Sequence, residues 1–261
     1  MTALGHRNDS KEMFDKEINQ FLKRHDYVAA EPRAALIDMD GTLYDSMPSH
    51  ARAWKRMTDE IGMNIDEDEF YLHEGRTGAG TIDILFVREW GRHATEEEIR
   101  ELYARKTRYF NEMKSVEPMP GAFRVLDFLR KVGMRRVLVT GSGQASLLER
   151  VNADFDNAFE PGMTVTARDV VHGKPAPDPF LLAMKRADVS PAQSIVIENA
   201  PLGVQAGDAA GAFTIGVTTG PIPGRVLKEA GAAIVFPSMD VLADELPMLL
   251  WALGTRGRNL N

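Results

Sequence analysis

Apolar positions follow two rhythms along this chain. Residues 10–25, "SKEMFDKEINQFLKRH", place Met13, Phe14, Ile18, Phe21 and Leu22 on one stripe at helical spacing. This predicts an N-terminal amphipathic helix docked on a core. "AALID", 34–38, is a near-continuous apolar run of the kind found in a strand buried on both faces. No convincing second strand follows it for a long stretch. "PSHARAWKRMTDEIG" has Pro48 near its start and Gly62 at its end, the polarity of a helix. "DEDEFYLHEG" is short and acidic at its start. "GAGTIDILFVREWG" carries Ile82, Leu85 and Phe86 at helical spacing. "TEEEIRELYARKTRYFNEM" opens with the capping-box pair Thr95 and Glu98. Its stripe runs Ile99, Leu102, Tyr103, Lys106 and Phe110, with Lys106 as the one polar interruption. These segments predict a block of about four helices.

Beyond "SVEPMPG" strands and helices alternate. "MRRVLVTG", "MTVTA", "SIVIEN", "FTIGVTTG" and "AAIVF" read as strands. "AFRVLDFLRKVG", "QASLLERV", "PFLLAMKRA", "PLGVQAGDAAG" and "SMDVLADELPMLLWAL" read as helices, the last bent or interrupted by Pro247. Such alternation predicts an α/β fold, a parallel sheet with helices on both faces. The helical block is then an insertion after the first strand. The expected organisation is an N-terminal helical extension over 1–32, a core over 33–46 and 117–261, and an inserted helical domain over 47–116. Natural hinges lie near 45–48 and 114–120.

Charge and composition narrow the function classes. The 261 residues carry a net charge of −7 and no long basic run, so a nucleic-acid partner is not expected. There is no cysteine, which excludes disulfides, thiolate metal sites and a cysteine nucleophile. No apolar run reaches the roughly 20 residues of a membrane span. The N-terminal residues lack the apolar core of a signal peptide. A cytoplasmic protein without membrane or nucleic-acid partners is expected, as a monomer or a weak homodimer.

Ligands of open parallel sheets bind beyond the carboxyl ends of the strands. Four loops lie there. They are Asp38-Met39-Asp40, the run Thr140-Gly141-Ser142-Gly143-Gln144, Gly173-Lys174-Pro175, and Glu198-Asn199. Taken singly, each has a plain structural explanation as a strand end, turn or helix start. The run 140–144 also lacks the third glycine of a dinucleotide fingerprint. Together they supply carboxylates, hydroxyl and amide donors and a cation. Phosphoryl transfer through a carboxylate needs those parts.

"DMDGTLYDS", "VLVTGSG", "HGKPAPDPF" and "VIENAPLGVQAG" resemble the four signature motifs of the haloacid dehalogenase superfamily. The resemblance covers nearly all of residues 33–240. "SMPSHARAWKRM", the helical insertion and "GKPAPDPF" resemble its β-phosphoglucomutase-like branch, which has a Rossmann-like core and a small α-helical cap. The resemblance implies Asp38 as nucleophile and Asp40 as acid and then base, with Gly41 permitting the bend that aims both. Neighbouring carboxylates would raise the pKa of Asp40. It implies Mg²⁺ on the Asp38 carboxylate, the Asp40 carbonyl and the Glu198/Asn199 pair. Thr140, Ser142 and nearby backbone N–H groups would hold phosphoryl oxygens, and Lys174 would balance charge. Dehalogenases of the superfamily lack the second aspartate, so Asp40 points to phosphoryl transfer.

Two features depart from the mutase pattern. The fourth motif often has two acids, and here it has Glu198 and Asn199. The loop "YLHEGRTGAG" stands where the family carries a substrate-specificity loop that tends to offer a cation. Here it offers Glu74 beside Arg76. Glu74 either joins the Mg²⁺ site as the cap closes or is a solvated acid at a helix end. Arg76 could serve a distal phosphate. His50, four residues before Trp54, either positions substrate or packs at the hinge. "HEGRTGAGTI" with "VIENAPLGVQAG" resembles members with inorganic pyrophosphatase activity. The expected function is a Mg²⁺-dependent phosphohydrolase of pyrophosphate or another small phosphorylated metabolite. A β-phosphoglucomutase is the alternative, and a non-catalytic binding protein on this fold is a third.

Overall fold

The structure, a computed structural model, describes residues 4–113 and 116–255, with side chains placed over 14–113 and 116–254. Six parallel strands form one sheet: β1 (Ala34–Ile37), β2 (Arg135–Val139), β3 (Thr164–Val165), β4 (Ser194–Glu198), β5 (Phe213–Val217) and β6 (Ile234–Phe236). Their order is β3-β2-β1-β4-β5-β6. The chain builds outward from β1 in one direction, then crosses back to build in the other. The crevice beside β1 is therefore the switch point, where parallel sheets bind ligands. In register, Ile37 pairs with Leu138 on one side and Ile197 on the other. The residues that follow are Asp38, Val139 and Glu198, so three strand ends converge.

Burial follows the strand period of two. Ala35 and Ile37 join one apolar cluster, and Ala34 and Leu36 join the cluster on the opposite face. The first face is covered by α1 (Leu4–His25), α5 (Ala122–Lys131) and α10 (Met239–Thr255). The second is covered by α7 (Asp178–Arg186) and α8 (Pro201–Ala209). Phe14, Ile18 and Phe21 of α1 are buried, with the Phe21 and Phe213 rings 5.1 Å apart. Met13, from the same predicted stripe, lies outside the described side chains.

Between β1 and α5 the chain forms α2 (Met47–Glu60), a 3-10 turn (Glu67–Tyr71), α3 (Gly78–Trp90) and α4 (Glu96–Asn111). Three α-helices and a 3-10 turn thus stand where about four helices are expected. The acidic segment is too short for more than one turn beyond its Asp66 cap, whose side chain accepts from Asp68 N. The Thr95/Glu98 capping box forms as expected. Residues 114 and 115, in one expected hinge, lie outside the described residues.

Further elements differ from the sequence reading. The expected strand over 163–167 is only Thr164–Val165. A helix to which the sequence reading assigned no element, α9, spans Gly224–Glu229, whereas α6 spans Ala145–Asp154 where a helix is expected. Pro247 does not interrupt α10. Leu242, Leu246, Leu249 and Leu253 are all buried at helical spacing, and their packing holds the helix across the missing N–H.

Candidate active site

At the carboxyl ends of β2, β1 and β4, Thr140, Asp38 and Glu198 are all buried. Lys174 arrives from the loop before α7 and is buried with them. Its Nζ donates to Asp38 Oδ1 at 2.5 Å, to Glu198 Oε1 at 2.6 Å and to the Val139 carbonyl at 3.0 Å. One cation thus ties three strand ends together. The second oxygen of Glu198 accepts from the backbone N–H groups of Asn199 and Ala200, at the start of α8.

Asp40 faces a different set of partners. Ser46 Oγ donates to its Oδ1 at 2.7 Å, and His50 Nε2 lies 2.8 Å from the same oxygen. Lys106 Nζ is 2.6 Å from His50 Nδ1. An ammonium only donates, so Nδ1 accepts and Nε2 carries the proton given to Asp40. The His50 ring also stacks on Phe110, with centroids 4.2 Å apart. His50 therefore packs at the hinge and also faces Asp40.

The loop before α3 closes the third side. Glu74 is buried, and its Oε1 accepts from Asn199 Nδ2 at 2.7 Å. Asn199 Oδ1 accepts from Thr42 Oγ1. Gly41 has φ +76°, so the expected bend is present. A Cβ there would lie 2.0 Å from Asn199 Nδ2 and 2.5 Å from Glu74 Oε1. On the other side, a Cβ at Gly141 would lie 2.2 Å from the Gly75 carbonyl. Only bare backbone lets these loops meet.

The electrostatics separate the acids. Burial, reinforced by Glu198, pushes Asp38 up to about 8 against the pull of Lys174. Burial also pushes Asp40 upward, but His50, Ser46 and Lys106 outweigh it and hold Asp40 below its ordinary value. This corrects the expectation that neighbouring carboxylates raise it. Glu74 is driven well above its usual range by burial and by Asp38, Glu198 and Asp40. Burial holds Lys106 down to about 7, opposed by Asp40. His50 is lowered by burial and by Lys106.

These groups enclose a cleft with about 480 Å³ of empty space, part of it open to solvent. Asp38, Asp40, His50, Glu74, Arg76, Thr140, Gly141 and Ser142 line it. Thr140 Oγ1 accepts from Ser142 N at 2.9 Å, which leaves its hydroxyl proton free for a ligand oxygen. Two members of the predicted run do not reach the cleft. Gln144 turns to Asn111 and Ser146 instead, and the N–H of Gly143 is taken by Tyr103 OH at 3.0 Å. Conversely, Lys106, Tyr103, Trp54 and His73 line the cleft and were not singled out as site residues. Lys106 left a trace in the sequence as the polar break in an apolar stripe.

A haloacid dehalogenase-like hydrolase model matches residues 32–211. The chain belongs to this family. It is 31% identical over 183 residues to hexitol phosphatase A of Escherichia coli, covering 70% of this chain and 81% of that protein. It is 32% identical over 188 residues to fructose-1-phosphate phosphatase YqaB of the same organism, covering 70% and 94%. A solved structure from Bacteroides vulgatus, described as a candidate β-phosphoglucomutase, superposes with a TM-score of 0.90 at 46% identity. That match covers 93% of this chain and 99% of the other. The family's β-phosphoglucomutase-like branch is thus the one this member resembles.

The donor set of this family member fits a hard divalent cation. Asp38, Glu74 and Glu198 are all buried, and Lys174 pairs with Asp38 and Glu198 while Glu74 accepts only from Asn199 among the described residues. Among the described residues, no three His, Cys, Asp or Glu side chains form a metal shell by themselves. An ion here would also take the Asn199 amide oxygen, the Asp40 carbonyl and water or ligand oxygens, the mixed set Mg²⁺ accepts. Among the described residues, no helix is long and apolar enough to cross a membrane.

Proposed function

We propose that this protein is a phosphohydrolase working through an aspartyl phosphate on Asp38, with inorganic pyrophosphate as its leading substrate. The observation that carries the reaction type is the division of labour between two buried carboxylates two residues apart. Asp38 lies against Lys174, and Asp40 lies against Ser46 and His50. Lys174 engages Asp38 Oδ1, so Oδ2 is the oxygen left to attack phosphorus. The P–O bond to the leaving group breaks as the Asp38 O–P bond forms. Thr140 and Ser142 stand at the phosphoryl oxygens, and Lys174 offsets their charge. Asp40 Oδ1 is held by Ser46 and His50, so Oδ2 serves the leaving oxygen and then removes a proton from water. That water attacks phosphorus and returns Asp38 as a carboxylate. Mg²⁺ would rest on Asp38, the Asp40 carbonyl, Glu198, Asn199 and Glu74, where it neutralises charge on the transferring group.

The substrate reading follows from the same acids. Asp40 is held below its ordinary pKa, so before substrate binds it is a better base than acid. A departing alkoxide needs a proton, whereas orthophosphate leaves as a stabilised anion. This favours an anhydride over a monoester. A second reading, a sugar-phosphate monoesterase, is favoured by the names of the two Escherichia coli relatives.

The deciding experiment is a phosphate-release panel with Mg²⁺. It should contain pyrophosphate, hexitol phosphate, fructose 1-phosphate and β-glucose 1-phosphate with a bisphosphate primer. The proposal expects pyrophosphate to be turned over fastest. A faster monoester supports the second reading. Glucose 6-phosphate formed without phosphate release would mean a mutase, and an inert panel would mean a binding protein.

A further inference from the structure

Behind the cleft lies a second hollow. It has about 560 Å³ of empty space, part of it open to solvent. Tyr71 of the 3-10 turn stands on one wall, and the loop after β5, residues 219–222, forms another. Thr219 Oγ1 donates to the Gly41 carbonyl, which fixes that loop against the turn after β1.

The cleft and the hollow share a thin partition. Glu74 and Met47 line both. Glu74 Oε1 accepts from Asn199 Nδ2 at 2.7 Å, and Asn199 lines the hollow. Gly41 lies against this pair, where a Cβ would be 2.0 Å from Asn199 Nδ2 and 2.5 Å from Glu74 Oε1. The polar part of the partition is therefore one hydrogen-bonded pair thick, and rotation of the Glu74 side chain opens it. Both members belong to the oxygen set that would hold Mg²⁺.

The two openings differ in charge. His50, His73, Arg76 and Lys106 stand in the cleft among its carboxylates. The hollow presents Glu74 and the exposed Asp45. Among the described residues that line it there is no Lys, Arg or His side chain. Tyr71 registers the same sign. Burial raises its pKa first, Glu67, Glu74 and Asp68 raise it further, and Arg52 opposes them. A cation that reached Asn199 through the cleft would pass Arg76 and Lys106 and compete with bound substrate. Through the hollow, the charged side chains lining its path are carboxylates.

Resting on the metal-dependent phosphohydrolase reading, we propose that this hollow is the entry and exit passage for Mg²⁺, separate from the mouth that admits the phosphorylated substrate. Asp45 attracts the cation at the opening, and Glu74 leaves Asn199 to let it through. Anion and cation thus arrive from opposite sides of Glu74, and metal exchanges while substrate occupies the cleft.

The test blocks the passage without touching a metal ligand. Gly220 lines the hollow, and a Cβ there meets nothing closer than the Tyr71 ring at 3.7 Å, so Gly220→Trp fills the space without backbone strain. Mn²⁺, which suits the same oxygen ligands, is the probe. Stopped-flow mixing of Mn²⁺-loaded full-length protein with a fluorescent chelator reads release. Equilibrium competition with the same chelator reads Kd, and the quotient of the two gives the loading rate. A filled passage slows both directions alike. Gly220→Trp should therefore lower release and loading about tenfold and change Kd less than about threefold. Asp45→Asn should slow loading about threefold at low ionic strength, and the difference should vanish at high ionic strength. Ile222→Trp serves as the plug if Gly220→Trp does not fold, and it must show the same pattern. Unchanged exchange in the folded plug variant overturns the passage and leaves the metal site standing. A change in Kd carried by one rate alone also overturns it, because that is an altered ligand set. Loading in Asp45→Asn equal to wild type at low ionic strength overturns the attraction at the opening. A wild type that binds no Mn²⁺ overturns the metal site itself, and the passage with it.

Discussion

Lys106 and His50 meet inside the molecule, Nζ to Nδ1 at 2.6 Å, although 56 positions separate them in sequence. One sits on α4 and the other on α2, and the far side of the imidazole faces Asp40. A cation on an inserted helix therefore acts on the proposed acid/base through a ring.

That chain of contacts predicts a separation of activity from stability. Lys106→Met keeps the volume of a buried side chain but removes its charge. Relief of the buried charge and loss of the donor to buried His50 Nδ1 oppose each other, each on the order of 1–3 kcal/mol. Thermal unfolding should therefore shift little, while kcat falls at least about tenfold because Asp40 loses its positioned partner. A drop in melting temperature with unchanged kcat would show that Lys106 is structural only.

The same lysine makes a pH prediction. Its folded value, about 7, lies below its ordinary value of 10.5. Between these values the unfolded chain binds the extra proton, so raising pH across that window favours the folded state. Below about 7 the cost of the buried charge is fully present. Wild type minus Lys106→Met, measured by denaturant unfolding, should rise with pH through the window. A flat difference would contradict the burial.

Lys174 is predicted to be the strongest stability determinant in the site. It joins Asp38 and Glu198, both buried, so Lys174→Met strands two carboxylates. A cost of about 3 kcal/mol or more is expected at neutral pH. Urea unfolding at neutral pH checks this, and a cost below about 1 kcal/mol would contradict it.

Glu74 is predicted to matter through metal affinity. Gln at this position can still accept from Asn199 Nδ2, so the loop contact survives in Glu74→Gln. Mg²⁺ affinity by calorimetry should fall about tenfold. If affinity and turnover are both unchanged, Glu74 is no part of a metal site.

Gly141 has an ordinary backbone, yet a Cβ there meets the Gly75 carbonyl at 2.2 Å. Gly141→Ala should therefore hold the Glu74 loop off the core without straining its own φ. The expectation is a fall in kcat/KM of about a hundredfold, the scale of a small misplacement of reacting groups. A variant with unchanged kcat/KM would show that the loop need not seat here.

The sheet was legible in the sequence because its central strands β1, β4 and β5 are buried on both faces, and β1, β2 and β4 run into chemically distinct loops. Asp38, Lys174 and Glu198 could be named from loop residues alone. Elements decided by packing could not. The strand read over 163–167 shortens to the two residues of β3, and α10 continues through Pro247 because four leucines bury one side of it. The inserted helices concealed most of the remaining site. Lys106 was visible as a polar break, but nothing in the sequence said that the break faces His50. His73 and Arg76 lie three residues apart in a loop whose aim depends on Gly75 and Gly141 meeting.

The central claim is that Asp38 accepts the phosphoryl group. Rapid acid quench of the Mg²⁺-loaded enzyme with labelled pyrophosphate, followed by peptide mapping, tests it most directly. The account predicts label on the peptide containing Asp38, lost on borohydride reduction and absent in Asp38→Asn. Label on another residue, or Asp38→Asn turning over like wild type, would contradict it.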